Sequence, residues 1–176
     1  MSIEPSKIGR LFYFYKWGES INQIAMTLRE FWSQFVDTFG RPALAGAPAR
    51  PPNMPIPAFI EGFANRFDGQ RWSPPPTPYI IYPNIQPSFR QNALFQVSVW
   101  DRTPGNPGMM AMIYDVLGQI EKAIPTETGV ILKLDDNSGA VWLMRSNPFI
   151  LNVPTGEDDT TWTRGTVGLI ARGLII

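Results

Sequence analysis

FQVSVWDRTPGNPGMMAMIYDVLGQI occupies residues 95–120, and the change of rhythm inside it decides the fold class. Apolar residues first alternate. Phe95, Val97 and Val99 fall on one face of an extended chain, and Leu94, Gln96, Ser98 and Trp100 on the other. The run RTPGNPG cannot continue a strand, because proline lacks the N–H a ladder needs. From Pro107 the period lengthens. Met109, Met110, Ile113, Val116, Leu117, Ile120 and Ile124 recur at helical spacing and stop before Pro125. Trp100, Asp101 and Arg102 stand at the joint between strand and helix.

Downstream, GVILKLDDNSGAVWLMRS (129–146) reads as two strands around the turn DDNSG. PFILNVP (148–154) is a short extended piece, and TWTRGTVGLIARGLII (161–176) is a strand running to the C-terminus. Upstream, PYIIYP (78–83) is a further strand. Ser20 with Gln23 forms a capping-box pattern. It opens an amphipathic helix carrying Ile21, Ile24, Ala25, Leu28, Phe31, Trp32, Phe35, Val36 and Phe39, which Gly40 is expected to end. RPALAGAPARPPNMPIP (41–57) is an extended, semi-rigid linker. Residues 58–67 fit a short helix with Phe59, Ile60, Phe63 and Phe67 on one side, or else part of a long excursion lying on a partner. The aromatic segment IGRLFYFYKWG (8–18) either packs on its own domain or reaches a neighbouring subunit.

The order is helix, linker, strand pair, helix, hairpin, strand. It predicts an α+β fold: a mainly antiparallel sheet flanked by helices, with an N-terminal helix and a Pro-rich extension. Residues 1–77 form that aromatic segment, helix and extension, and residues 78–176 form the α+β core.

Composition limits the chemistry. The chain has 176 residues, enough for one sizeable core. Only 17% are charged, while 12% are aromatic, which suggests that partners cover part of its apolar surface. Fifteen basic and fifteen acidic residues cancel, so no phosphate-backbone footprint is evident. With no cysteine, disulfides and thiolate sites are excluded. With no histidine, the commonest general base and metal ligand are missing too. This argues against an enzyme, although carboxylate chemistry stays open. The start MSIEPSKIGR is polar and LFYFY is too short for a signal-peptide core, so cytosolic synthesis is expected, with no membrane partner.

Several clusters invite a sharper reading. Asp135, Asp136 and Asn137 lack the spacing of an EF-hand loop, and a tight turn accounts for them. Glu157, Asp158 and Asp159 fit a solvated loop or a contact with a basic neighbour. PGNPG is followed by Met109 and Met110 where a phosphate loop needs Lys and Ser or Thr. No cofactor is expected.

Residues 78–176 resemble the phage tail terminator or tail completion family, the minor tail or neck proteins. The resemblance rests on ordered features. PYIIYPNIQPSF leads into FQVSVWDRT, then the helix MMAMIYDVLGQIEKAI, the hairpin VILKLDDNSGAVWLMRSNPF and the strand TRGTVGLIARGLI. It implies a structural virion subunit forming a ring, usually a hexamer, at the head-proximal end of a tail. Such a ring stops tail tube polymerisation and joins the tube protein to the head connector. DNA passes through its channel without specific binding. The implied location is the virion tail or neck, after assembly in the host cytoplasm.

Ring closure needs two different patches of one subunit to meet. The C-terminal strand, ending Gly173-Leu174-Ile175-Ile176, is expected to offer an exposed sheet edge for this. Trp100, Asp101, Arg102, Arg145, Trp162 and Arg164 are the candidates for subunit or partner contacts. The competing readings are another neck or head-completion adaptor, a non-viral α+β interaction module, a binder of glycans or small molecules, and a carboxylate hydrolase.

Overall fold

A computed structural model describes residues 23–40, 49–61, 66–67, 72–73, 77–85, 87, 91–101, 108–135, 137–152 and 163–174. Helix α1 covers residues 23–33. It is followed by β1 (Val36–Asp37), β2 (Met54–Pro55), β3 (Ala58–Ile60), β4 (Arg66–Phe67), β5 (Trp72–Ser73), β6 (Tyr79–Tyr82) and β7 (Ala93–Asp101). Then come α2 (Gly108–Ala123), β8 (Val130–Lys133), β9 (Ala140–Asn152) and β10 (Thr163–Leu174). Six strands make the main sheet in the order β3-β6-β7-β10-β9-β8. Every pair in it is antiparallel except β3 with β6. The fold is therefore α+β with a mainly antiparallel sheet, as the order of elements predicts.

The alternation in β7 has its physical consequence here. Phe95, Val97 and Val99 are buried, and so are their partners Leu169 and Val167 on β10. Helix α2 lies across this face and sinks Ile113, Val116, Leu117 and Ile120 into it, with Ile124 just beyond its end. Burying each such side chain stabilises the fold by about 2 kcal/mol. Gly165 on β10 permits the close approach. A Cβ there would lie 2.6 Å from Ile113 Cγ2 and 2.8 Å from Leu117 Cδ1.

The N-terminal half departs from expectation in two places. The first helix does not run to Phe39. It ends at residue 33, and Val36–Asp37 pair with Met54–Pro55 instead. A partner distant in sequence wins this competition. Gln119 of α2 accepts from Val36 N at 3.1 Å and donates to Val36 O at 2.9 Å, so a side-chain amide takes the place of a neighbouring strand. Asp37 then accepts from Phe39 N and Gly40 N, and pairs with Arg50 at 3.4 Å. Gly40 has φ +64°, and a Cβ on it would lie 2.5 Å from Arg50 O. It serves this turn rather than a helix end. The predicted start of the helix at Ser20 lies outside the described residues.

The second departure is at residues 58–67. The described part is not helical: Ala58–Ile60 extend the sheet alongside Ile80–Tyr82, and Arg66–Phe67 pair with Trp72–Ser73. Leu28, Phe31, Trp32, Phe35 and Ile56 share one core with Ile80, Tyr82 and Val97. The described residues on either side of Pro78 are thus joined by both sheet and core.

The C-terminal strand is also placed differently. It is not an edge. Thr163–Ala171 pair with β7 on one side, and Thr166–Leu174 pair with β9 on the other. The edges of the main sheet are β3 and β8. Its last two residues, Ile175 and Ile176, lie outside the described residues.

Candidate functional site

The face of the sheet opposite α2 carries two of the six predicted contact residues, Trp100 and Arg164. Trp100 and Tyr79 are register partners, and so are Trp100 and Arg164. Strand alternation sends all three side chains away from the helix. The Tyr79 and Trp100 rings stack with centroids 6.4 Å apart and planes 18° apart. Phe59 of β3 meets Tyr79 edge-on at 6.3 Å. The Arg164 guanidinium lies 5.2 Å from the Trp100 ring centroid. A row of side chains thus crosses four strands and ends in an exposed cation. Cation–π contact favours this arrangement. Burial holds the Tyr79 phenol above its usual range.

The other predicted residues are distributed differently. Asp101 sits beside Trp100 in the chain but on the opposite face, where only 3% of it is exposed. Arg102 and Trp162 lie outside the described residues. Arg145 lies apart from the row, at the C-terminal end of α2. Its Nε donates to Ile124 O at 2.6 Å, and its terminal nitrogens donate to Glu121 O and, at 3.0 Å, to the Glu121 carboxylate. Its guanidinium also lies 4.8 Å from the Phe149 ring centroid. A cation here satisfies carbonyls that the helix leaves unpaired and complements its dipole.

The hairpin turn after β8 is explained by its backbone. Asn137 N donates to Leu134 O and Leu134 N to Gly139 O, both at 3.0 Å, and Asn137 takes φ 54°. Among the described residues, no group of three carboxylates is arranged to hold a metal ion. The cluster at residues 157–159 lies outside them.

A feature of the same face was less evident in the sequence. Leu94, Ile170 and Met144 are successive register partners across β7, β10 and β9. Leu94 is 77% exposed and Ile131 on β8 is 56% exposed. Leu151 lies over Gly168 and completes an apolar stripe. The signal for it was Leu94 at an outward position of an alternating strand. Its companions depended on a pairing that alternation alone does not specify.

No family model, curated protein or solved structure matches this chain. Among the described residues, no helix is long and apolar enough to cross a membrane.

Proposed function

We propose that the chain is a structural subunit that works by assembly. In the fuller reading it forms a ring at the head-proximal end of a phage tail, ends growth of the tail tube and joins it to the head connector. The observation that carries this reading is the apolar stripe on the outer face of the main sheet, where Leu94 is 77% and Ile131 56% exposed. Contiguous exposed apolar surface of this kind marks a contact with another macromolecule. The order strand pair, helix, hairpin, final strand agrees with the resemblance. The lack of histidine and cysteine suits a protein whose work is contact.

Native mass spectrometry across a concentration series, with negative-stain images of the same samples, tests the proposal. A closed ring of defined copy number is the expected result, and rings should add to the ends of purified tail tubes. A chain that stays monomeric at every concentration and does not bind tube ends would overturn it.

A further inference from the structure

The outer face of the main sheet is most open at the end away from the buried Tyr79, and register fixes which side chains meet there. Leu94, Ile170 and Met144 form one row across β7, β10 and β9. Arg172, Trp142 and Ile131 form the next, across β10, β9 and β8. Ala171, Val141 and Leu143 are buried on the inner face, so Arg172 and Trp142 point outward. Lys133 lies two positions after Ile131, on the same side of β8. The patch is apolar except for Arg172 and Lys133. Both are exposed, and neither has a hydrogen-bond or ion-pair partner among the described residues. A surface that fits here is apolar and also favours a cation. Aromatic rings have both properties. The chain already pairs its guanidinium groups this way twice. Arg164 lies 5.2 Å from the Trp100 ring centroid, and Arg145 lies 4.8 Å from that of Phe149.

The sequence holds one segment of that character for which the core has no evident use. Residues 11–17, LFYFYKW, carry five aromatic rings and a single charge, Lys16. So dense an apolar run is unfavourable in water. The described chain begins at Gln23, in α1. Helix α1 packs on the inner face, where Leu28 and Trp32 share the core with Ile80 and Tyr82. The sheet therefore stands between α1 and the patch. Trp17 is six residues before Gln23, a reach of about 20 Å at full extension. A route to the outer face of the same sheet crosses a layer spacing of about 10 Å and must also go out around the rim and back. The outer face of a neighbouring copy requires no such detour.

We infer that residues 11–17 of one copy lie on the Leu94, Trp142 and Ile131 patch of a second copy, with aromatic rings over Arg172 and Lys133. This rests on the reading of the chain as an assembling subunit and identifies its seam. Segment and patch are unlike surfaces of one subunit. Their contact is head-to-tail and closes into a ring when its rotation allows.

The test places a benzophenone photocrosslinker at Tyr13 of the full-length chain, in an equal mixture of isotope-labelled and unlabelled protein. Mass spectrometry is expected to find mixed-label crosslinks from residue 13 to peptides of β8, β9 or β10. Two full-length variants give a second readout: Phe12→Asp with Phe14→Asp, and Leu94→Asp with Ile131→Asp. Thermal melts check that both fold. Each alone is expected to assemble at least about tenfold more weakly than the wild type, the effect of losing a buried anchor. Mixed in equal amounts they are expected to give a heterodimer, because one intact segment and one intact patch remain. Arg172→Gln is expected to weaken assembly about two- to fivefold, the effect of losing one cation–π contact. Crosslinks to the patch within one chain only would overturn the exchange between copies. Wild-type rings from the Phe12 and Phe14 variant, with the Leu94 and Ile131 variant monomeric, would give the patch a different occupant. In both cases the ring reading stands. A wild type that is monomeric at every concentration overturns the inference, and binding to tube ends then decides the ring reading alone. Sedimentation with anionic vesicles that is lost in the Leu94 and Ile131 variant but kept in the Phe12 and Phe14 variant would assign the patch to a lipid surface instead.

Discussion

Replacing Arg145 with alanine separates two roles that this residue was open to. The structure gives it an internal role, capping α2. Two charge-assisted bonds to the carbonyls of Glu121 and Ile124 contribute about 1.5 kcal/mol each. A cation at the helix C-terminus adds about 0.5 kcal/mol. Stacking on Phe149 adds a similar amount, about 0.5 kcal/mol. The Glu121 carboxylate is half exposed, so its ion pair adds little. Arg145→Ala should therefore lower stability by about 3 to 4 kcal/mol. Arg145→Lys keeps the charge but offers one ammonium to three acceptors, and should lose about half as much. Urea unfolding of the monomer, followed by circular dichroism and tryptophan fluorescence, measures both at unchanged m-value. An alanine variant within about 0.5 kcal/mol of the wild type that nonetheless fails to assemble would refute the capping argument. It would return Arg145 to the subunit contacts.

Tyr82 is buried and its hydroxyl has no hydrogen-bond partner among the described residues, so Tyr82→Phe should leave stability unchanged or raise it by about 1 kcal/mol, read from the urea midpoint. Burial raises the phenols of Tyr79 and Tyr82 above 10.0, although Arg29 opposes this at Tyr82. The unfolded chain ionises first, so their contribution is complete below pH 10 and is lost as pH climbs beyond it. The Phe variant should show the shallower alkaline decline. Gly165→Val drives new carbons into Ile113 and Leu117, which are both buried, and should cost about 2 kcal/mol or more in a thermal or urea melt. A wild-type melt would mean that α2 does not press on β10 as described.

What could be read in the sequence was whatever one segment encodes by itself. The 3.6-residue rhythm of Ile113, Val116, Leu117 and Ile120 specifies α2 without reference to anything else. The alternation of Phe95, Val97 and Val99 specifies β7 in the same way. The turn at Asn137 and Gly139 specifies the hairpin. What escaped depends on distant partners. Val36 continues the helical pattern of α1, yet it becomes a strand because Gln119 and Pro55 meet it there. Phe59 and Ile60 suit a short helix as well as a strand, and Ile81 and Tyr82 decide between them. The apolar texture of β10 suggested an edge awaiting a partner, but a strand with two neighbours has the same composition. The candidate site divides along this line. Trp100 was visible as an aromatic at a strand end, whereas its rows with Tyr79 and Arg164 follow from register.

The central place of β10 also has a consequence for synthesis. Both of its neighbours precede it in the chain, so a ribosome delivers β7 and β9 before the strand that unites them. At about 5–20 residues per second, β7 waits several seconds for its second ladder. During that interval β3-β6-β7 and β8-β9 are separate half-sheets sharing no backbone bond. Each presents a long open edge, nine residues on β7 and thirteen on β9. Neighbouring nascent chains on one message would find those edges at high local concentration. Strand exchange between copies is then a hazard set by the order in which the strands are made.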